Sequence, residues 1–188
     1  MIRKINKNDR EFYINSVNAF YHSEAVLHAI PEENIIKTFD ELMASDTYTQ
    51  CYIFEEEEKR EDFVCWIRNP SRGSWALCIP YEIDGEIKPT YPDFIVVRKD
   101  RVLGYIVDIL EPHNPDFKDN LGKAKGFTEY AKQNPGVGRI QLIRMSKDAV
   151  GNHKFKRLDM SKTAIRDKVS HAINTDELDH IFDTDGVI

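Results

Sequence analysis

Two apolar runs, residues 92–98 and 102–110, are rich in Ile, Val, Phe and Tyr and meet across the short polar stretch Arg98-Lys99-Asp100-Arg101. This commits the middle of the chain to a pair of strands, and so short a link favours a tight antiparallel connection. With the turn centred between Asp100 and Arg101, Phe94 faces Val107, Ile95 faces Ile106 and Val96 faces Tyr105, so apolar residues meet apolar residues throughout. The same register sets Asp93 opposite Asp108. Directly opposed side chains on one sheet face stand roughly 5 Å apart at Cβ, where two ionised carboxylates repel unless one is protonated or a cation lies between them. A divalent metal resolves the conflict, which makes Asp93 and Asp108 the expected metal ligands. Asp100-Arg101 is not a favoured two-residue hairpin loop and Gly104 suits a bulge. A register shifted by one residue is therefore the alternative, and it separates the pair.

Both strands carry apolar side chains on both faces, as in a central sheet covered by helices on each side. Two helices are expected near the start of the chain. One spans about 9–29 with Phe12, Val17, Phe20 and Leu27 as its stripe, and one spans 31–44 with Ile35, Ile36, Phe39 and Leu42, opened by Pro31-Glu32-Glu33. Residues 49–55 and 62–67 read as strands around a solvated acidic tip at Glu55 to Glu58, and 75–82 as a further strand before the turn Asp84-Gly85-Glu86. After the central hairpin come a helix at about 119–132, strands at 139–145 and 154–159, a helix at about 162–172, and a short helix carrying Leu178, Ile181 and Phe182. This order predicts a single α/β domain over 1–188, built on a mixed central β-sheet flanked by helices. Within it, 1–45 is a helical N-terminal segment, 49–173 the α/β core and 174–188 an acidic tail.

A chain of 188 residues with 41% hydrophobic content can bury one sizeable core. No apolar stretch approaches the roughly 20 residues that span a bilayer, and Met1-Ile2-Arg3-Lys4-Ile5-Asn6-Lys7 lacks the apolar segment of a signal peptide. A soluble, cytoplasmic protein without a membrane partner is expected. Cys51, Cys65 and Cys78 are odd in number and widely spaced, which fits buried thiols better than a disulfide framework or a zinc site. The net charge of −6 hides an asymmetry: residues 1–97 carry −8, residues 98–168 carry +7 and residues 169–188 carry −5. The basic block includes Arg98, Lys99, Arg101, Lys118, Lys123, Lys125, Arg139, Arg144, Lys147, Lys154, Lys156 and Arg157. It forms a phosphate-facing surface if these fall on one side, and a solvated charged exterior if they do not.

Pro92-Asp93, followed by Asp108 on the next strand and then a helix, resembles the PD-(D/E)XK nuclease superfamily, whose acids lie on adjacent strands of a helix-flanked sheet. The ordered set Trp66-Ile67-Arg68-Asn69-Pro70, Ile79-Pro80-Tyr81, Tyr91-Pro92-Asp93-Phe94, Val107-Asp108-Ile109-Leu110-Glu111-Pro112-His113 and Lys123-Ala124-Lys125-Gly126 is similar to the nuclease-like C-terminal region of type III restriction-type helicase (Res) subunits. The resemblance covers residues 62–160 and implies a restriction-endonuclease-like fold. It also implies Mg²⁺-dependent cleavage of DNA, with Mn²⁺ as a substitute, in restriction or phage defence, beside a helicase or translocase partner or a second copy of the chain. Asp93, Asp108 and the backbone carbonyl of Ile109 would hold the metal.

One departure from the family pattern matters. A lysine usually follows the second acid by two residues, and that position holds Leu110. Lys123 and Lys125 on the next helix are the candidate substitutes, each about 100° from Ala124 on opposite flanks of the apolar stripe. Either is a surface lysine if its flank faces away. Glu111 points away from Asp108 if the strand continues, but Pro112 could turn it back as a metal ligand or water-orienting base; otherwise it bonds loop amides. His113 could coordinate metal or protonate the leaving oxygen, or serve as a structural hydrogen-bonding group. Glu24 and Glu41 are weaker candidates from the first helices. Lys99, Arg101 and Lys118, with Lys123 and Lys125, are the expected nucleic-acid contacts. The competing reading keeps the fold without cleavage, as a module that binds nucleic acid or a protein partner.

Overall fold

Seven strands and three helices follow one another in the described residues of a computed structural model, which are 56–72, 76–147 and 153–187. In chain order they are β1 (Phe63–Arg68), β2 (Ile79–Ile83), β3 (Glu86–Thr90), β4 (Phe94–Asp100), β5 (Gly104–Pro112), α1 (Asn120–Gln133), β6 (Ile140–Lys147), β7 (His153–Asp159), α2 (Thr163–His171) and α3 (Thr175–Asp185). The helices expected at 9–29 and 31–44, the strand at 49–55, and with them Glu24, Glu41 and Cys51, lie outside the described residues.

The central hairpin forms, but it closes further along than the polar stretch suggests. Val96 pairs with Asp108, Phe94 with Leu110 and Asp100 with Gly104, so Asp93 does not face Asp108. The cause is local. Asp100 ends β4 and its Oδ1 accepts from the backbone N–H groups of Val102 and Leu103, both at 2.8 Å, which organises the three-residue loop Arg101-Val102-Leu103. Gly104 then closes the loop at a φ of +78°, a conformation a side chain would resist. The register therefore moves by three residues. An odd shift exchanges the faces of one strand relative to its partner, so Asp108 leaves the face on which Asp93 lies.

The central sheet has the order β1-β4-β5-β6-β7, antiparallel except for β5 and β6. A parallel pair needs a long crossover, and α1 supplies it. Ala124, Phe127 and Ala131 of α1 pack on Ile109, Ile140, Leu142 and Leu158, and α2 and α3 complete this core with Ile165, Val169, Leu178, Ile181 and Phe182. The architecture is a mixed α/β sheet with helices packed against it. The hairpin β2–β3 is a separate two-stranded sheet turned by Asp84 and Gly85 at φ of 55° and 76°. It approaches α1 at two glycines: a Cβ at Gly122 would stand 2.6 Å from the Glu82 carbonyl oxygen, and one at Gly126 2.7 Å from that of Pro80. The sequence hides β3, because Glu86-Ile87-Lys88-Pro89-Thr90 is polar and contains a proline that only an edge strand tolerates.

The charge asymmetry along the chain cancels in space. Arg98, Arg139 and Arg157 pair with Asp62, Glu57 and Glu56 from the acidic first half, and Arg144, Lys156 and Lys168 pair with Asp179, Asp183 and Asp185 of α3. Much of the basic block is thus neutralised within the molecule rather than spread as a phosphate-facing surface. Glu57 is no part of a solvated tip: residues 56–58 are helical and Glu57 is only 2% exposed. Cys65 is buried, which pushes its thiol up to about 12, whereas Cys78 is exposed, contrary to expectation. Among the described residues no helix is long and apolar enough to cross a membrane.

Candidate active site

Asp108, expected beside Asp93 at a metal, is instead sealed between two arginines. It is fully buried, and its carboxylate accepts from Arg98 Nε and Nη2 at 2.5 and 2.9 Å. It also accepts from the Arg139 backbone N–H, Nε and Nη2 at 2.7, 2.7 and 2.5 Å. A side chain at Gly138 would collide with this carboxylate, so glycine is required there. With five donors on two oxygens, Asp108 is a structural counter-ion. The metal role expected of the neighbouring Ile109 carbonyl depended on Asp108 and falls with it; the Ile109 side chain is packed in the core. Leu110 is also fully buried, opposite Phe94, and is a core residue rather than a missing lysine.

The acid that meets Asp93 is Glu111. The Asp93 backbone N–H donates to Glu111 Oε2 at 2.9 Å, continuing the β4–β5 pairing by one step. Asp93 is held from the other side, since its carbonyl accepts from the Asn69 backbone N–H at 2.9 Å. The Asn69 amide is in turn locked to the Leu77 backbone by two hydrogen bonds of 2.8 Å. Burial, reinforced by the negative charge of Asp93, pushes the Glu111 carboxyl up to about 8, against the Asp93 N–H and the Lys123 charge that favour ionisation.

His113 follows Glu111 by two residues, on the same side of the strand. It stacks on Phe182 with ring centroids 5.4 Å apart, and its Nε2 lies 3.4 Å from Arg144 Nη2. Burial and then the Arg144 charge push it down to about 4, so the imidazole is neutral at pH 7. Arg144 donates to Asp179 at 2.6 Å, lies 4.2 Å from the Phe182 ring centroid, and keeps a buried Nε without a partner.

The structure separates the two helix lysines. Lys123 lies on the acid side, close enough for its charge to act on both Glu111 and His113. Its ammonium pairs with Asp119 at 3.1 Å, and the Tyr81 hydroxyl donates to the same carboxylate oxygen at 2.8 Å. Burial opposes ionisation of Asp119, but these two donors hold it below the usual range, while burial and Asp119 push Tyr81 up to about 12. Lys125 is on the other flank, lining the groove between β2–β3 and α1 with Pro80, Asp84, Ile87 and Glu129. Lys118 is exposed on the loop before α1. Lys99 and Arg101 sit at the turn of the central hairpin, about 20 Å from Asp93 at the usual strand rise. Among the described residues no group of three or more His, Cys, Asp or Glu side chains is disposed to hold a metal.

Three members of the site have weak or absent sequence signals. Glu111 was legible as the partner of Asp93 only through Gly104, whose left-handed conformation extends the loop to three residues. Tyr81 and Asp119 are 38 residues apart and meet because glycines bring β2 onto α1, for which no local pattern exists.

Fold and site together define a mixed α/β domain with a carboxylate pair where the central hairpin opens. The chain belongs to the YagJ family, whose profile matches residues 33–186. It is 32% identical over 128 residues to Protein YagJ of Escherichia coli (strain K12), an alignment covering 67% of this chain and 50% of that protein. The chain thus spans about half the length of the curated relative it matches.

Proposed function

We propose that this chain is a Mg²⁺-dependent nuclease of restriction-endonuclease-like fold that cleaves DNA, with Asp93 and Glu111 rather than Asp93 and Asp108 as its metal ligands. The observation that carries the reading is the opposition of these two acids at the open end of β4–β5, with Lys123 brought to the same side by α1. Adjacent strands of a sheet packed with helices support it, since the resembled superfamily carries its acids on adjacent strands of a helix-flanked sheet. In the corrected register the signature reads Asp93, then Glu111-Pro112-His113, with histidine in the place of the usual lysine.

The donor set fits the ion. Two opposed carboxylates, one of them pushed up to about 8 by burial and by the charge of the other, suit Mg²⁺, which is commonly held by one or two carboxylates plus water and substrate phosphate. Bound there, the ion would lower the pKa of a water molecule and neutralise charge on the phosphate. The rest falls to the chain. Lys123, paired with Asp119, which Tyr81 in turn holds, would offer its ammonium to phosphoryl oxygens as they gain charge. His113 is neutral and cannot supply that charge, and Arg144 fixes its ring.

The test is cleavage of single- and double-stranded DNA in Mg²⁺ and Mn²⁺, with metal binding followed by calorimetry. Activity and metal binding are expected to disappear in Asp93→Asn and Glu111→Gln and to persist in Lys99→Ala. Protein that neither binds metal nor cuts overturns the reading. Histidine in the lysine position favours one second reading, a binding-only module, which would show salt-sensitive nucleic-acid binding without metal uptake.

A further inference from the structure

The loop that leaves β5 just after Glu111 and leads into α1 presents an exposed aromatic ring. Phe117 is 52% exposed, and the Lys123 ammonium stands 5.7 Å from its ring centroid. Such exposure would mean little on a loose loop, but this one is fastened from below. Asn120, only 1% exposed, donates through Nδ2 to the carbonyls of Asn114 and Pro115 at 2.8 and 3.2 Å. The Asp116 N–H donates to Asn114 Oδ1 at 3.0 Å, and the Phe117 N–H to the Asn114 carbonyl at 3.3 Å. The backbone that carries the ring is therefore fixed. Tyr105, the other large aromatic side chain exposed among the described residues, sits at the turn end of β5, about 20 Å from Glu111.

We propose that Phe117, backed by Lys123 and flanked by Lys118, is a stacking platform for an unpaired nucleotide next to Asp93 and Glu111, so that the substrate class is a single strand. The chemistry required is an aromatic face for a base and ammonium groups for its phosphates, and both occur here within one loop and the first turn of a helix. Lys123 joins the two parts: its ammonium lies over the ring and its charge acts on Glu111. A base inside a duplex is already stacked on both faces and cannot use the ring, whereas a splayed base can. DNA and RNA share this chemistry. The fate of the bound strand rests on the nuclease reading, while its binding does not.

The experiment is equilibrium binding of a fluorescein-labelled thymine oligodeoxynucleotide, a uracil oligoribonucleotide of the same length and a DNA duplex to the full chain. It is run in EDTA and low salt, alongside cleavage of the same strands in Mg²⁺. Single strands are expected to bind more tightly than duplex. Phe117→Ala and Phe117→Leu should weaken them by about 5- to 100-fold, Phe117→Trp should retain them and Tyr105→Ala should change nothing. A loss on the DNA arm, the RNA arm or both supports the platform and identifies the sugar it takes. Unchanged binding by both Phe117→Ala and Phe117→Leu, with melting curves like the parent's, overturns it, as does equal affinity for duplex. Phe117-dependent binding without cleavage would count against the nuclease reading alone, and Phe117-independent binding by a chain that cuts would count against the platform alone.

Discussion

Replacing Asp108 by alanine separates the two roles its position could serve, because they predict opposite signs. In the structure its carboxylate neutralises Arg98 and Arg139, whose side chains are 14% and 17% exposed, and it accepts five hydrogen bonds. Removing one partner from a buried ion pair costs about 3–5 kcal/mol, because the remaining charge stays out of water. Each arginine keeps a second acid, Asp62 at 2.7 Å and Glu57 at 2.6 Å, which places the expected loss near the lower end. For a chain of this length 1 kcal/mol moves the melting temperature by about 2–4 °C, so Asp108→Ala should lower it by roughly 6–12 °C. Thermal and urea unfolding in metal-free buffer measure this directly. A carboxylate repelled by Asp93 would behave otherwise: its removal would relieve strain and raise the melting temperature. A rise, or a change within about 1 °C, refutes the assignment of Asp108 as a structural counter-ion.

Two further expectations concern the site and its support. Glu111 is raised from 4.5 to about 8 and His113 lowered from 6.5 to about 4, so between pH 4.5 and 6.5 the first makes stability fall with pH and the second makes it rise. From 6.5 to 8 only the Glu111 contribution remains, and metal-free stability should decline by an amount on the order of a few kcal/mol. Glu111→Gln should flatten that limb, and Mg²⁺ should restore stability at pH 8 in the parent but not in the variant; a flat parent profile contradicts the burial of this carboxyl. Gly126→Ala forces a Cβ to within 2.7 Å of the Pro80 carbonyl oxygen and 2.8 Å of the Tyr81 Cβ, and should destabilise by about 1–3 kcal/mol in urea. Gly136→Ala, with nothing within 4 Å, should be near neutral.

Much of the secondary structure could be read from the chain because its signals are local. The crossover helix ends where Asn134-Pro135-Gly136 stops it, β6 forms at Ile140–Lys147, and Leu178, Ile181 and Phe182 mark an amphipathic helix that is buried on that face. The hairpin itself was equally legible. Its register was not, because hydrophobic matching favours the other alignment: in the register that forms, Val96 meets Asp108 and Arg98 meets Ile106. The hydrogen bonds from Val102 and Leu103 to Asp100, together with the left-handed Gly104, decided it.

That decision set Glu111 rather than Asp108 opposite Asp93 and placed Leu110 in the core. Charge shows the same division between chain and fold. The sequence by itself determined a mixed α/β sheet, an acid at Asp93 and a basic block between two acidic segments. Only the tertiary structure decided that Arg98, Arg139, Arg144, Lys156 and Arg157 of the block are held in internal ion pairs, that Lys123 rather than Lys125 faces the acids, and that Glu111 and His113 both feel the Lys123 charge. The physical reason is that periodicity and turn chemistry act over a few residues, whereas ion pairing and burial depend on contacts such as Arg157 to Glu57, 100 residues apart, which no short pattern encodes.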